Sequence, residues 1–108
     1  MFDIDENYNI SLTRGDTGIF QINLVDTDGS PYTPVEGDKL RFAMAKQFGG
    51  EVLSLIDIPI QTCILKINPS DTKELDFGNY VYDIQFTDHE ENVSTIIVGK
   101  MNLTKEVE

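Results

Sequence analysis

An all-β sandwich of about seven to eight short strands, with one helical turn near Pro69–Leu75, is the fold class this sequence predicts, and three observations predict it. Apolar and polar residues alternate in short runs, most cleanly in Tyr80, Tyr82, Ile84 and Phe86 against Val81, Asp83 and Gln85, the two-residue period of a half-buried strand. Turn residues rich in Gly, Asp and Pro separate those runs. A capped helical turn and a glycine stand directly in front of the cleanest run, which therefore reads as a central strand.

One domain over residues 1–108 is expected, long enough to bury roughly 60 to 70% of the surface of the unfolded chain. Nineteen acidic against eight basic side chains give a formal charge of −11. That sign opposes the phosphate-neutralising term that dominates nucleic-acid affinity, so binding to nucleic acid or anionic lipid is not expected. No secretory signal opens the sequence and no run reaches 18 apolar residues, so no membrane insertion is expected. A soluble, reducing compartment is the expected setting until a partner is met.

Residues 1–6 are acidic and read as a loose or partner-ordered end. Tyr8 to Thr13 alternates through Tyr8, Ile10 and Leu12 and reads as a first strand. Arg14-Gly15-Asp16-Thr17-Gly18 is a turn. Its Arg-Gly-Asp tripeptide suits an adhesion motif, but glycine then aspartate between two apolar alternations is ordinary hairpin chemistry. Ile19 to Val25 is a second strand with Phe20, Ile22 and Leu24 inward. Asp26 to Ser30 closes it as an Asp-Gly turn, since a calcium loop centred on Gly29 would need oxygen ligands where Leu24 and Val35 stand.

Pro31 to Gly37 is a connection long enough to cross between sheets. Asp38 to Lys46 follows as a strand with Leu40, Phe42 and Met44 inward. Phe48, beside Gly49 and Gly50, either tucks back onto the core, the favoured reading, or stands at the loop tip as a contact residue. Glu51 to Ile60 contains Pro59, which cannot donate to a ladder, and so reads as an edge strand or one leaving its sheet. Thr62 to Ile67 directs Cys63, Leu65 and Ile67 inward, which makes Cys63 a small core residue.

Asn68 caps a helical turn with Pro69 in first position and Asp71 opposing the free N–H groups. Leu75 and Phe77 end it, and Gly78 permits a sharp entry into the strand. A helical turn followed by Leu-x-x-Gly-x-Tyr looks like the tyrosine corner of Greek-key sandwiches, with Leu75 plugging the core and the Tyr80 hydroxyl bonding back to nearby backbone. Thr87 to Asn92 is a polar hairpin loop whose tip carries His89, a solvated side chain with no ligand or base role. Val93 to Val98 is the partner strand, Gly99 a bulge or bend, and Met101 to Val107 the closing strand. Ile96, Ile97 and Val98 are apolar in a row, so both faces of that strand call for cover. Either the connection from Pro31 supplies it or a subunit interface does, which makes Ile96 and Val98, with Phe48, candidate interface residues.

Catalytic chemistry is not expected. The one histidine and the one cysteine cannot form a nucleophile–base set, and the carboxylates lie in wet turns where nothing raises a pKa. No cofactor or metal is called for, because one cysteine without a histidine cluster makes no structural zinc site.

Several stretches together resemble a known family. They are residues 10–18 (Ile-Ser-Leu-Thr-Arg-Gly-Asp-Thr-Gly), the Asp28-Gly29-Ser30-Pro31-Tyr32 turn, Pro69 to Leu75 running into Gly78 to Ile84, and Ile97-Val98-Gly99. In this order they are similar to the small immunoglobulin-like modules of tailed-phage and prophage structural proteins, in particular the N-terminal domain of baseplate upper proteins. The chain departs from that pattern in having no long C-terminal helical or receptor-binding extension, and from antibody-type domains in having no tryptophan and no paired cysteines. The resemblance implies an immunoglobulin-like Greek key and a non-enzymatic virion component of tail, baseplate or neck, made in the bacterial host cytoplasm. It also implies packing against other phage structural proteins and against copies of itself. An extracellular adhesive or carbohydrate-binding module is the alternative, for which Tyr8, Tyr32 or Phe48 would have to form an exposed aromatic platform. An acidic DNA mimic rests on charge alone.

Overall fold

The computed structural model describes residues 8–26 and 28–105, together with the backbone of residues 3–4. The expected loose end at residues 1–6 lies, apart from that backbone, outside the described residues. Among the described residues eight strands and one helical turn follow one another: β1 (Asp3–Ile4), β2 (Ile10–Thr13), β3 (Gly18–Gln21), β4 (Lys39–Ala45), β5 (Val52–Ile58), β6 (Ile64–Ile67), α1 (Pro69–Thr72), β7 (Gly78–Thr87) and β8 (Val93–Thr104). They form a six-stranded mixed sheet in the order β1-β2-β8-β7-β4-β5 and a two-stranded sheet of β3 with β6. Only β2 and β8 run parallel among the paired strands. The molecule is elongated, 44 × 26 × 23 Å.

Strand alternation makes the core. Leu40, Phe42 and Met44 of β4 lie opposite Phe86, Ile84 and Tyr82 of β7, and Tyr80 lies opposite Met101 of β8. All but Phe86 are almost fully buried, in one cluster with Leu12 of β2 in the same sheet and with Phe20, Leu65 and Ile67 of the two-stranded sheet that faces them. Phe42 and Tyr82 stack with ring centroids 5.4 Å apart. The apolar area withdrawn from water there, at about 25 cal/mol per Å², is the main favourable term of folding. β7 is flanked by β4 and β8 and so is central, and β5 is an edge strand, both as the alternation and Pro59 imply.

Several boundaries differ from the sequence reading. The first strand starts at Ile10, because Tyr8 bends away with a φ of 61°. The second stops at Gln21: its partner β6 begins only at Ile64, after Cys63 at φ 54°, and one further bond joins Ile22 N–H to the Cys63 carbonyl. Arg14 to Thr17 makes no hairpin, since β2 and β3 belong to different sheets and the segment crosses between them. Gly99 is not a bulge. The shift in register falls between Ile84 and Gln85, whose partners are Ile97 and Thr95, so Ile96 is the extra residue. Gly99 instead pairs opposite Tyr82, where a Cβ would collide with the Tyr8 carbonyl oxygen and stand 2.8 Å from the Tyr82 ring. Glycine is required there by the close approach of another backbone.

Candidate functional site

Strand direction gives the molecule two unlike ends. At one, β2, β3, β7 and β8 meet α1 and the turn that follows it. Asp71 opens α1 by accepting the Asn68 N–H at 2.7 Å, and Pro69 takes the first helical position. The buried Thr72 hydroxyl accepts the Gly15 N–H at 2.9 Å, and the Arg14 guanidinium donates to the Leu75 carbonyl at 3.0 Å. The Arg-Gly-Asp segment is thereby tied to the turn before β7. Leu75 is half-buried against the core, and Gly78 enters β7 at φ 139°, a value side chains rarely adopt. The Tyr80 hydroxyl donates to the Asp76 carbonyl at 2.6 Å, and burial pushes its pKa up. Leu75, Gly78 and Tyr80 thus sit together as a corner that binds strand, turn and crossover.

At the other end Asp38, buried at the start of β4, gathers donors from two segments, the Pro31–Gly37 connection and the β7–β8 loop. Its carboxylate accepts the Tyr32 hydroxyl at 2.7 Å, the Val35 N–H at 2.9 Å and the His89 N–H at 2.9 Å, with the His89 ring Nδ1 at 3.1 Å. The Val35 N–H bond above all lowers the Asp38 pKa to about 2, while the bond to Asp38 raises Tyr32 to about 12 and also raises His89. His89 is exposed, as its loop position suggests, yet its N–H and ring are held by Asp38, so it clasps the β7–β8 hairpin to the Pro31–Gly37 connection.

Beside this clasp a cleft of about 450 Å³ opens between the layers, with Ile22, Leu24 and Val25 on one wall and Phe86, Ile96 and Ile97 on the other. Tyr8 and Tyr32 also line it, and Tyr32 meets Phe86 edge to face at 5.6 Å. The bulge explains why Ile96 and Ile97 are both apolar, since an extra residue lets neighbours share one side of a strand. Ile96 stays 38% exposed and Val98 51% exposed, so the connection from Pro31 buries neither.

A second apolar surface lies on the outer face of the large sheet. Leu55, Ala43, Asp83 and Val98 form one row across β5, β4, β7 and β8, and Val52, Ala45, Val81 and Lys100 the next. Phe48 stands 62% exposed beside them, against the tucked reading: its ring lines a hollow with Ala43, Ala45, Val52 and Val81 and is not part of the core cluster. Phe48 and Val98 therefore belong to the outer face and Ile96 to the cleft. Tyr8 and Tyr32 lie in the cleft and Phe48 at the far end of β4, so the three aromatics do not make one platform.

Cys63 is buried and its thiol pKa is raised by desolvation, as suits a core residue. Two features were hidden from sequence reasoning. The Asp38–His89 contact joins residues 51 apart with no local pattern, and the cleft depends on where β3 stops pairing. The one available signal was the apolar triplet at Ile96.

No protein-family model matches this chain, and no curated protein matches it.

Proposed function

We propose that the chain is a non-enzymatic assembly module of a tailed-phage or prophage virion, an immunoglobulin-like Greek key that packs against neighbouring structural proteins and copies of itself. The observation that carries the assembly role is the outer face of the large sheet. There Phe48, Val52, Leu55 and Val98 are each more than half exposed, Asp83 and Lys100 interrupt the rows, and β5 has no partner on its outer edge among the described residues; exposed apolar side chains beside a free edge suit protein contact. The Greek-key reading draws support from β3 pairing with β6 across from the large sheet, from β2 running parallel to the last strand, and from the Tyr80 hydroxyl reaching back four residues. Phe42 and Tyr82 stack in the core of a chain that lacks an antibody-type tryptophan and disulfide. The virion assignment rests on the sequence resemblance. In a symmetric ring, weak contacts between such faces add up, because each further contact is intramolecular.

Light scattering on size-exclusion fractions of the concentrated chain tests the assembly role. Association that is lost in the Phe48→Ser/Val98→Asp double variant is the expected result. A strict monomer with no copurifying tail protein from a phage-producing host contradicts it.

A further inference from the structure

We infer that the cleft is a strand-acceptor site for an extended, cationic segment of another protein, laid along the free edge of β8. Three observations converge on it. First, β2 pairs with β8 only from Met101 to Thr104, and among the described residues nothing pairs with that edge of β8 from Val93 to Lys100. Tyr8 turns the chain away just where the pairing stops. An edge of this length offers a ladder of main-chain donors and acceptors, which is how sheets take up a peptide strand.

Second, the cleft between the layers opens beside that edge, with Ile96 and Ile97 of β8 in one wall and Ile22 and Leu24 in the other. A strand beside β8 would send alternate side chains into it, since side chains alternate between the faces of a sheet. Third, this end is acidic. Residues 22–38 hold four carboxylates and residues 86–99 three, against two cations at their borders, Lys39 opposite Thr87 and Lys100 where the free edge ends. Asp26 lies on the cleft itself. Such a field draws in a partner carrying Lys or Arg beside its apolar residues and repels a second copy of a chain with charge −11. The inference does not depend on the outer-face assembly role, because Val98 and Phe48 lie on the opposite face of the sheet.

The test uses the whole chain and a fluorescein-labelled peptide, Lys-Val-Thr-Ile-Thr-Val-Lys-Lys, read by fluorescence anisotropy. Saturable binding is expected, weakened about tenfold or more when the Lys residues are replaced by Glu, and again when the central Ile is replaced by Pro, which removes a ladder donor. Ile96→Lys, at an exposed position, is expected to weaken binding as strongly, and Leu55→Asp, on the outer face of β5 and away from β8, to leave it unchanged. Retained Leu55→Asp binding alongside lost self-association would separate the two surfaces. Binding that ignores both the proline and Ile96→Lys would be nonspecific charge attraction and overturns the inference, as does no binding at all. Self-association of the unliganded chain abolished by Ile96→Lys would make a second copy the occupant and also overturns it.

Discussion

The two ends of the molecule satisfy their polar groups in different ways. At the corner end, Gly15 donates to Thr72 of α1, Arg14 to Leu75 and Tyr80 to Asp76, beside the buried core. At the hairpin end, a buried carboxylate holds the Pro31–Gly37 connection and the β7–β8 loop by hydrogen bonds while the layers stand apart over a cleft. The difference teaches that rigidity and openness are divided along the strands. Packing closes one end, and a charge-assisted clasp leaves the other accessible.

Substitutions can break or sharpen that contrast. The largest effect is expected from Tyr82→Ala, which removes a 1% exposed ring from the middle of the inward row and should cost about 3 to 5 kcal/mol in denaturant unfolding. Since such a domain has about 5 to 15 kcal/mol in total, the variant should be barely folded. Gly99→Ala comes next, at about 1 to 3 kcal/mol, because the added methyl meets the Tyr8 carbonyl and the Tyr82 ring. A melting temperature equal to the parent's would mean that the backbone at Tyr8 does not pass there. Tyr80→Phe should cost about 1 to 2 kcal/mol by leaving the Asp76 carbonyl short of a partner. At the open end, Ile96→Lys should stay within about 0.5 kcal/mol of the parent, as exposed positions do.

The clasp adds a dependence on pH. The lowered pKa of Asp38 contributes stability that is fully present above its ordinary value of 3.8 and is lost as the pH falls through about 2. The raised pKa of His89 works in the opposite sense: its contribution is complete below 6.5 and disappears as the pH rises through its higher folded value. The clasp should therefore hold best between about pH 4 and 6.5. Unfolding midpoints of the parent should fall as the pH rises above about 6.5, and His89→Gln should remove that fall while leaving the acid limb. An unchanged alkaline limb in the variant would place its cause elsewhere.

What the sequence could reveal follows the same division. The corner was legible because its parts are local: Asn68, Pro69 and Asp71 open a helix, and Gly78 and Tyr80 stand at fixed offsets behind Leu75. β4 and β7 were legible because one face of each is buried, which forces strict alternation. At the hairpin end the determining facts are not local. Where β3 stops depends on Cys63 at a positive φ, some 40 residues on, and the role of His89 depends on Asp38 across the sheet. The bulge was misplaced for a similar reason: Gly99 attracts attention as a glycine, yet its role is to admit the Tyr8 backbone, while the extra residue is an isoleucine.

Amide hydrogen exchange along β8 tests the central division most directly, because this one strand runs the length of both ends. From Met101 to Leu103, bonded on both sides, protection should approach that of global unfolding, whereas the amides between Val93 and Val98 that face away from β7 should exchange quickly and slow when the cationic peptide is added. Uniformly slow exchange from Val93 to Thr104 in the free chain would mean that the edge is already covered, and would contradict the account.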